Sequence, residues 1–196
     1  MKPKILLIGD SIRMGYYPIV KESLIDLANV IEIPESGEDS KKVLKNIQKW
    51  IKQANLGEEA IIHLNCGLHD IKRKFWKKKN QQPIKKYKSN LEKIVKILKE
   101  NTDVKLIWAT TTPVIFKRHH ERKGFDRHEE DVTAYNEVAL DLMKRENIEI
   151  NDLYNIIMEN NVEECIGYDG VHMTETGNKL LGKKVVAILK AKLEQK

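Results

Sequence analysis

Lys4-Ile5-Leu6-Leu7-Ile8-Gly9-Asp10-Ser11-Ile12-Arg13 places an almost unbroken apolar run directly before a glycine and two polar residues. A short run without polar alternation fits a strand buried on both faces, and the glycine marks where the chain leaves it. The same pattern recurs along the chain. Val30 to Ile33 stops at Pro34, Ala60 to Leu64 stops at Asn65, Val104 to Ala109 stops at a row of threonines, and Ile148 to Ile150 forms a weaker fifth run. Segments with apolar residues at helical spacing lie between them. One stripe runs from Val43 to Ala54 behind Asp39 and Ser40, either of which can cap a helix, and another runs from Ile84 to Leu98 behind Pro83. Two more run from Val132 to Met143 and from Leu180 to Leu193. Strands alternating with helices predict a parallel sheet of about five strands between two helical layers, a three-layer α/β/α sandwich formed as one domain over residues 1–196.

The 196 residues, 41% hydrophobic and 33% charged, suffice for one buried core and exclude a disordered or fibrous chain. No apolar run approaches the roughly 20 residues of a membrane span. No basic-then-apolar leader precedes the first strand, so a cytoplasmic location is expected. Cys66 and Cys165 are too few for a disulfide framework and lack zinc-site spacing. The net charge of +6 is local. Between Lys72 and Lys88 stand nine cations and no acid, and without them 26 cations face 29 anions. That segment is either a solvated loop and helix start or a docking surface for an anionic partner. Phe75, Trp76 and Tyr87 within it also admit nucleic acid as a lesser alternative.

In an open α/β sheet, ligands bind beyond the carboxyl ends of the strands. Four loops should meet there: Gly9-Asp10-Ser11, Ser36-Gly37-Glu38, Asn65 to Asp70, and Thr110-Thr111-Thr112-Pro113. Ser11 sits at a strand-to-helix turn, where backbone N–H groups and the helix dipole converge, although a plain helix N-cap would read the same way. Near the other end, Asp169-Gly170-Val171-His172 spaces a carboxylate three residues before an imidazole. An Asp that accepts from His fixes the tautomer and frees the second ring nitrogen as a base. The pair could equally serve the loop backbone before the last helix. Thr110 to Glu130, rich in His and Arg, is the one long stretch expected to be irregular, and loops of that length are commonly functional. His119, His120, His128 and Glu129 within it lack the spacing of a helical metal site, so no metal is expected.

Taken together, Gly9-Asp10-Ser11-Ile12, the glycine after the second strand, Gly67-Leu68-His69-Asp70 and Asp169-x-x-His172 resemble the SGNH (GDSL-type) hydrolases. Thr111-Thr112-Pro113-Val114 and Tyr135-Asn136 are also similar to segments of that family. The resemblance spans residues 9 to 172 and implies a flavodoxin-like sheet and a serine esterase that needs no cofactor. By that resemblance Ser11 is the nucleophile, His172 the base and acid, and Asp169 the residue that orients His172. Ser11 and Gly37 would supply backbone N–H groups to an oxyanion hole. The third donor of the family is an asparagine in Gly-x-Asn-Asp. Here His69 stands in its place, with Asn65 as the competing candidate.

A neutral imidazole can donate one hydrogen bond, so His69 can replace the amide if its proton faces the oxyanion. Asp10, Thr111, His119 and His120 are the candidate substrate contacts. The expected reaction is hydrolysis of a small acyl ester, most simply acetyl, on a carbohydrate, through an acyl-serine. A chain this short leaves no room for a separate lid domain. The basic segment, beginning two residues after Asp70, suggests an anionic acetylated sugar as substrate. The alternatives are a catalytically weak carbohydrate-binding relative and a nucleic-acid-binding protein that uses Lys72 to Lys88.

Overall fold

Each of the apolar runs becomes a strand of one sheet in the computed structural model, which describes residues 2–57, 59–101 and 104–195. β1 (Lys4–Ile8), β2 (Asn29–Glu32), β3 (Ile61–Leu64), β5 (Lys105–Ala109) and β7 (Glu149–Asn151) pair in the order β2-β1-β3-β5-β7, every pair parallel. Their ends lie within a residue or two of the sequence reading. Counted along this sheet alone the order is 2-1-3-4-5, which is the flavodoxin-like winding. Ile5, Leu7, Ile8, Ile61 and Ile62 are wholly buried, as strands covered on both faces require.

The helices are α1 (Ser11–Ser23), α2 (Ser40–Ala54), α3 (Ile84–Asn101), α5 (Glu129–Arg145) and α8 (Glu175–Glu194), with three short ones: α4 (Phe116–His120), α6 (Leu153–Met158) and α7 (Val162–Cys165). α1 packs on α8, while α2 packs on α3 and α3 on α5, giving a layer on each face of the sheet. The stripe of α2 buries Val43, Ile47 and Trp50, and that of α3 buries Tyr87, Leu91 and Ile94 in the same continuous core. Reversal of the winding between β1 and β3 opens a crevice at their carboxyl ends, the position where such sheets bind ligands. Ser11 follows the first of these strands and His69 the second.

One sequence expectation fails here. Thr110 to Glu130 is not irregular, since it holds α4 and a short strand, β6 (Phe125–Asp126). β6 pairs antiparallel with β4 (Arg73–Lys74), drawn from the basic segment, and together they form a separate two-stranded ribbon. Two-residue strands carry no readable periodicity, so neither could be found from the pattern of apolar residues. Among the described residues no helix is long and apolar enough to cross a membrane.

Candidate active site

The first turn of α1 settles which side chain caps that helix. Asp10 is the N-cap, its Oδ1 accepting the Ile12 N–H at 3.0 Å. Ser11 is therefore the first helical residue and not the cap. With the capping duty met by Asp10, the Ser11 hydroxyl is free to turn outward, and its Oγ lies 2.9 Å from His172 Nε2. Asp10 itself is 1% exposed, and burial raises its pKa. It is a buried capping residue and not the substrate contact expected of it.

The loop that carries His172 is held from several sides. Ile166 bridges Met173, the Gly167 N–H donates to the His172 carbonyl at 2.7 Å, and the Ile115 N–H donates to the Gly170 carbonyl at 2.8 Å. Gly170 has φ +74, and a Cβ there would lie 2.4 Å from the Ile115 carbonyl oxygen, so only glycine fits this turn. The turn folds Asp169 back onto Val171 and His172. Its Oδ1 accepts the N–H groups of Val171 (3.1 Å) and His172 (2.9 Å), and its Oδ2 lies 2.6 Å from His172 Nδ1. The two sequence readings of this carboxylate, loop support and imidazole partner, thus hold together on different oxygens. Burial pushes the Asp169 pKa up, but the hydrogen bonds from the His172 ring and from the two backbone N–H groups outweigh it and hold the group below its ordinary range. An ionised Asp169 accepts the Nδ1–H hydrogen bond and so fixes the tautomer that leaves the Nε2 lone pair facing the Ser11 hydroxyl. Lys123 adds a cation 3.4 Å from the same Oδ2.

The oxyanion candidates fall into different situations. The Ser11 N–H lies at the free N-terminus of α1, where the helix dipole favours negative charge. The Gly37 N–H is not free, since it donates to the Gly9 carbonyl at 2.8 Å. Asn65 is also committed, its Nδ2 donating to the Ala109 carbonyl at 2.8 Å. His69 has its Nδ1 sealed without a partner, which leaves Nε2 as the nitrogen that can meet a ligand. Burial, reinforced by Lys72 and Arg127, pulls the His69 pKa down to about 3, so its ring is neutral and carries one N–H. Behind it, Gly67 (φ +150) leaves room for Thr111, whose Oγ1 a Cβ would meet at 2.3 Å. Asp70 accepts the Ser40 N–H at 2.9 Å and the Ser40 hydroxyl at 2.5 Å, tying the loop after β3 to the start of α2.

Two of the remaining expected substrate contacts prove to be interior. Thr111 is 2% exposed, with its N–H and carbonyl both bonded to the Asn136 amide at 2.8 Å. His119 is fully buried, its Nε2 3.4 Å from Arg127 Nη1, and burial pulls its pKa down to about 4. Only His120 is exposed, with Nδ1 2.7 Å from Asp126 Oδ1 and its ring beside Phe75 and Phe116. His128 stacks on the other ring of that group, Phe116, and Glu129 accepts from the Val114 N–H and the Tyr154 hydroxyl. Among the described residues no three His, Cys, Asp or Glu side chains converge as a metal site needs. Arg127 was missed in the sequence. It is buried, donates from Nε to the Leu68 carbonyl at 2.6 Å, and lies within electrostatic reach of both Asp10 and Asp169. Nothing in its local pattern marks it, because its burial depends on the ribbon.

The fold has counterparts among solved structures. The lipase/acylhydrolase from Enterococcus faecalis superposes with a TM-score of 0.79 at 22% identity, over 99% of this chain and 98% of that one. The chain has the SGNH (GDSL-type) hydrolase fold. The acetyl xylan esterase AlAXEase shares that fold at TM-score 0.74 and 20% identity, over 95% of this chain and 99% of the other. An acetylxylan esterase from Geobacillus stearothermophilus does so at 0.71 and 15%, over 99% and 95%. No protein-family model and no curated protein matches the sequence. Within the SGNH fold, Ser11, Asp169 and His172 occupy the rim at the strand ends, 161 residues apart at the widest and in hydrogen-bond contact.

Proposed function

We propose that this chain is a single-domain serine esterase that hydrolyses small acyl esters, acetyl esters of carbohydrates foremost, through an acyl-serine. The observation that carries the reading is the unbroken chain from Asp169 Oδ2 to His172 (2.6 Å) and from His172 to Ser11 Oγ (2.9 Å) at the crevice between β1 and β3. His172 Nε2 takes the hydroxyl proton as Ser11 Oγ attacks the acyl carbonyl, and Asp169 holds the imidazolium that forms. The tetrahedral oxyanion is met by the Ser11 N–H at the head of α1 and by the His69 imidazole N–H. Gly37 joins them where its N–H shares the oxyanion with the Gly9 carbonyl. His172 then protonates the leaving alcohol, and in the second half it activates the water that releases the acid. The substrate class is supported by the esterases that share this fold. Replacing Ser11 by Ala should abolish hydrolysis of an aryl acetate, and turnover that survives in that variant removes the serine from the mechanism.

A second reading, a carbohydrate-binding relative of low turnover, is favoured by one observation, the Gly37 N–H already spent on Gly9. A fluorophosphonate separates the two. Stoichiometric labelling of Ser11 supports the esterase, and an unlabelled serine supports the binder.

A further inference from the structure

Beside the catalytic cluster lies a second hollow that ester hydrolysis itself does not use. It is a cavity of about 540 Å³ lined by Lys72, Lys74, Trp76, Lys77, Lys79 and Phe125 at the β4–β6 ribbon. That volume suits a ligand of oligosaccharide size and not a track for a polymer backbone. None of the four lysines makes a salt bridge among the described residues, and no carboxylate lines the cavity.

Lys72 connects the hollow to the catalytic rim. Its N–H donates to the His69 carbonyl at 3.4 Å, and its ammonium stands 5.0 Å from the centre of the Phe125 ring, the ring that also carries the Arg127 guanidinium at 5.0 Å. Two cations thus share one aromatic ring, and Lys72 is half-buried, within electrostatic reach of Glu38, Asp10 and Asp39 but in direct contact with none of them. Four lysines around a cavity whose own lining holds no carboxylate concentrate positive potential there and favour an anionic ligand. At its mouth Trp76 is 72% exposed, with Lys74 Nζ 5.4 Å from its ring centre. A large exposed ring next to an unpaired ammonium can take the C–H face of a sugar on the ring and its acidic group on the cation.

We propose that this cavity binds a carboxylate-bearing oligosaccharide, the alcohol portion of the ester that Ser11 attacks; the second half of that statement rests on the esterase reading above. The anion belongs to the same molecule as the ester, because Lys72 reaches the cavity from the backbone that positions His69.

The test uses Ser11→Ala protein, so that binding is read without turnover, titrated with an unacetylated oligogalacturonate and followed by calorimetry and tryptophan fluorescence. Trp50 and Trp108 are buried, so a fluorescence response reports on Trp76. Saturable binding is expected, weakened about tenfold on going from about 50 mM to about 500 mM salt and at least as much by the pair Lys77→Glu and Lys79→Glu. Trp76→Ala, a change at an exposed side chain, should remove the fluorescence response and most of the affinity. Equal affinity for a neutral xylo-oligosaccharide, tighter binding of an oligothymidylate, or no saturable binding overturns the proposal. An aryl acetate assay of the unaltered protein separates the two readings. Hydrolysis without oligogalacturonate binding overturns the cavity assignment alone, whereas binding without hydrolysis supports the cavity and overturns the esterase.

Discussion

The Gly37 N–H donates to the Gly9 carbonyl at 2.8 Å, fastening the loop after β2 to the end of β1 directly beside Ser11. A donor so engaged can meet an oxyanion only by weakening its first bond. In a covalent adduct of Ser11 with an aryl phosphonate, the Gly37 N–H should reach the phosphonyl oxygen while its distance to Gly9 lengthens beyond about 3.2 Å. A crystal structure of the adduct checks this. An unchanged Gly9–Gly37 distance would leave Ser11 and His69 as the only donors.

His69 stands where the SGNH hydrolases that the sequence resembles carry an asparagine, and its ring is held neutral by burial and by two neighbouring cations. His69→Asn restores an amide donor and should keep kcat within about tenfold, whereas His69→Ala should lower it by roughly a hundredfold or more. Steady-state kinetics on an aryl acetate distinguish them. Identical kcat values for both variants and the unaltered protein would exclude a donor role.

Asp169 divides its two oxygens between the backbone and His172. Asp169→Asn keeps the shape but presents an amide to Nδ1, favouring the wrong tautomer. A fall in kcat of about 10⁴-fold with little change in KM is expected. A drop of only a few fold would mean that His172 needs no carboxylate to hold its proton.

Gly170 stands at φ +74 with the Ile115 carbonyl oxygen where a Cβ would be. Gly170→Ala should cost about 1–3 kcal/mol of stability from backbone strain and displace His172 from Ser11. Thermal melting reads the first effect and kcat the second. A variant that matches the parent in both would show that the turn tolerates a side chain.

Three histidines resist protonation through burial: His63 (pKa pulled down to about 4), His69 (about 3) and His119 (about 4). Unfolding frees each to take a proton near the ordinary value of about 6.5, so their share of stability is lost as pH falls from there toward the folded values. Asp70, raised to about 7 by burial, acts in the opposite sense, its contribution fading as pH rises through that value. Asp10 and Glu129 are raised by burial as well and join Asp70, so the melting temperature is expected to drop between about pH 7 and about pH 4.5 by the excess of the three rings over these carboxyls. A midpoint that holds or rises over that interval would mean that the buried carboxyls outweigh the rings.

The sheet was legible because parallel strands covered on both faces are continuous apolar runs, and Gly9, Pro34 and Asn65 punctuate them. The contact of Ser11, His172 and Asp169 was legible because Asp169-x-x-His172 and Gly9-Asp10-Ser11 are local motifs whose side chains the topology needs only to bring together. What could not be read was anything decided by tertiary burial. Asp10 and Ser11 are equally good caps on paper, and only the packing of α1 assigns the duty to Asp10. Thr111 and His119 look like polar loop residues, yet one is tied to Asn136 and the other is enclosed beside Arg127. The N–H of Gly37 is a matter of orientation, which a sequence does not carry.

The ribbon of β4 and β6 has a consequence for how such a protein could change its diet. It shares no backbone pairing with the main sheet and is assembled from two loops some fifty residues apart. Its composition can therefore change with little disturbance of the strand pairing of the main sheet. A change within residues 73–81 should therefore alter what the cavity accepts more than it alters the Ser11–His172 contact, whereas Lys72 bears on both the cavity and the His69 ring.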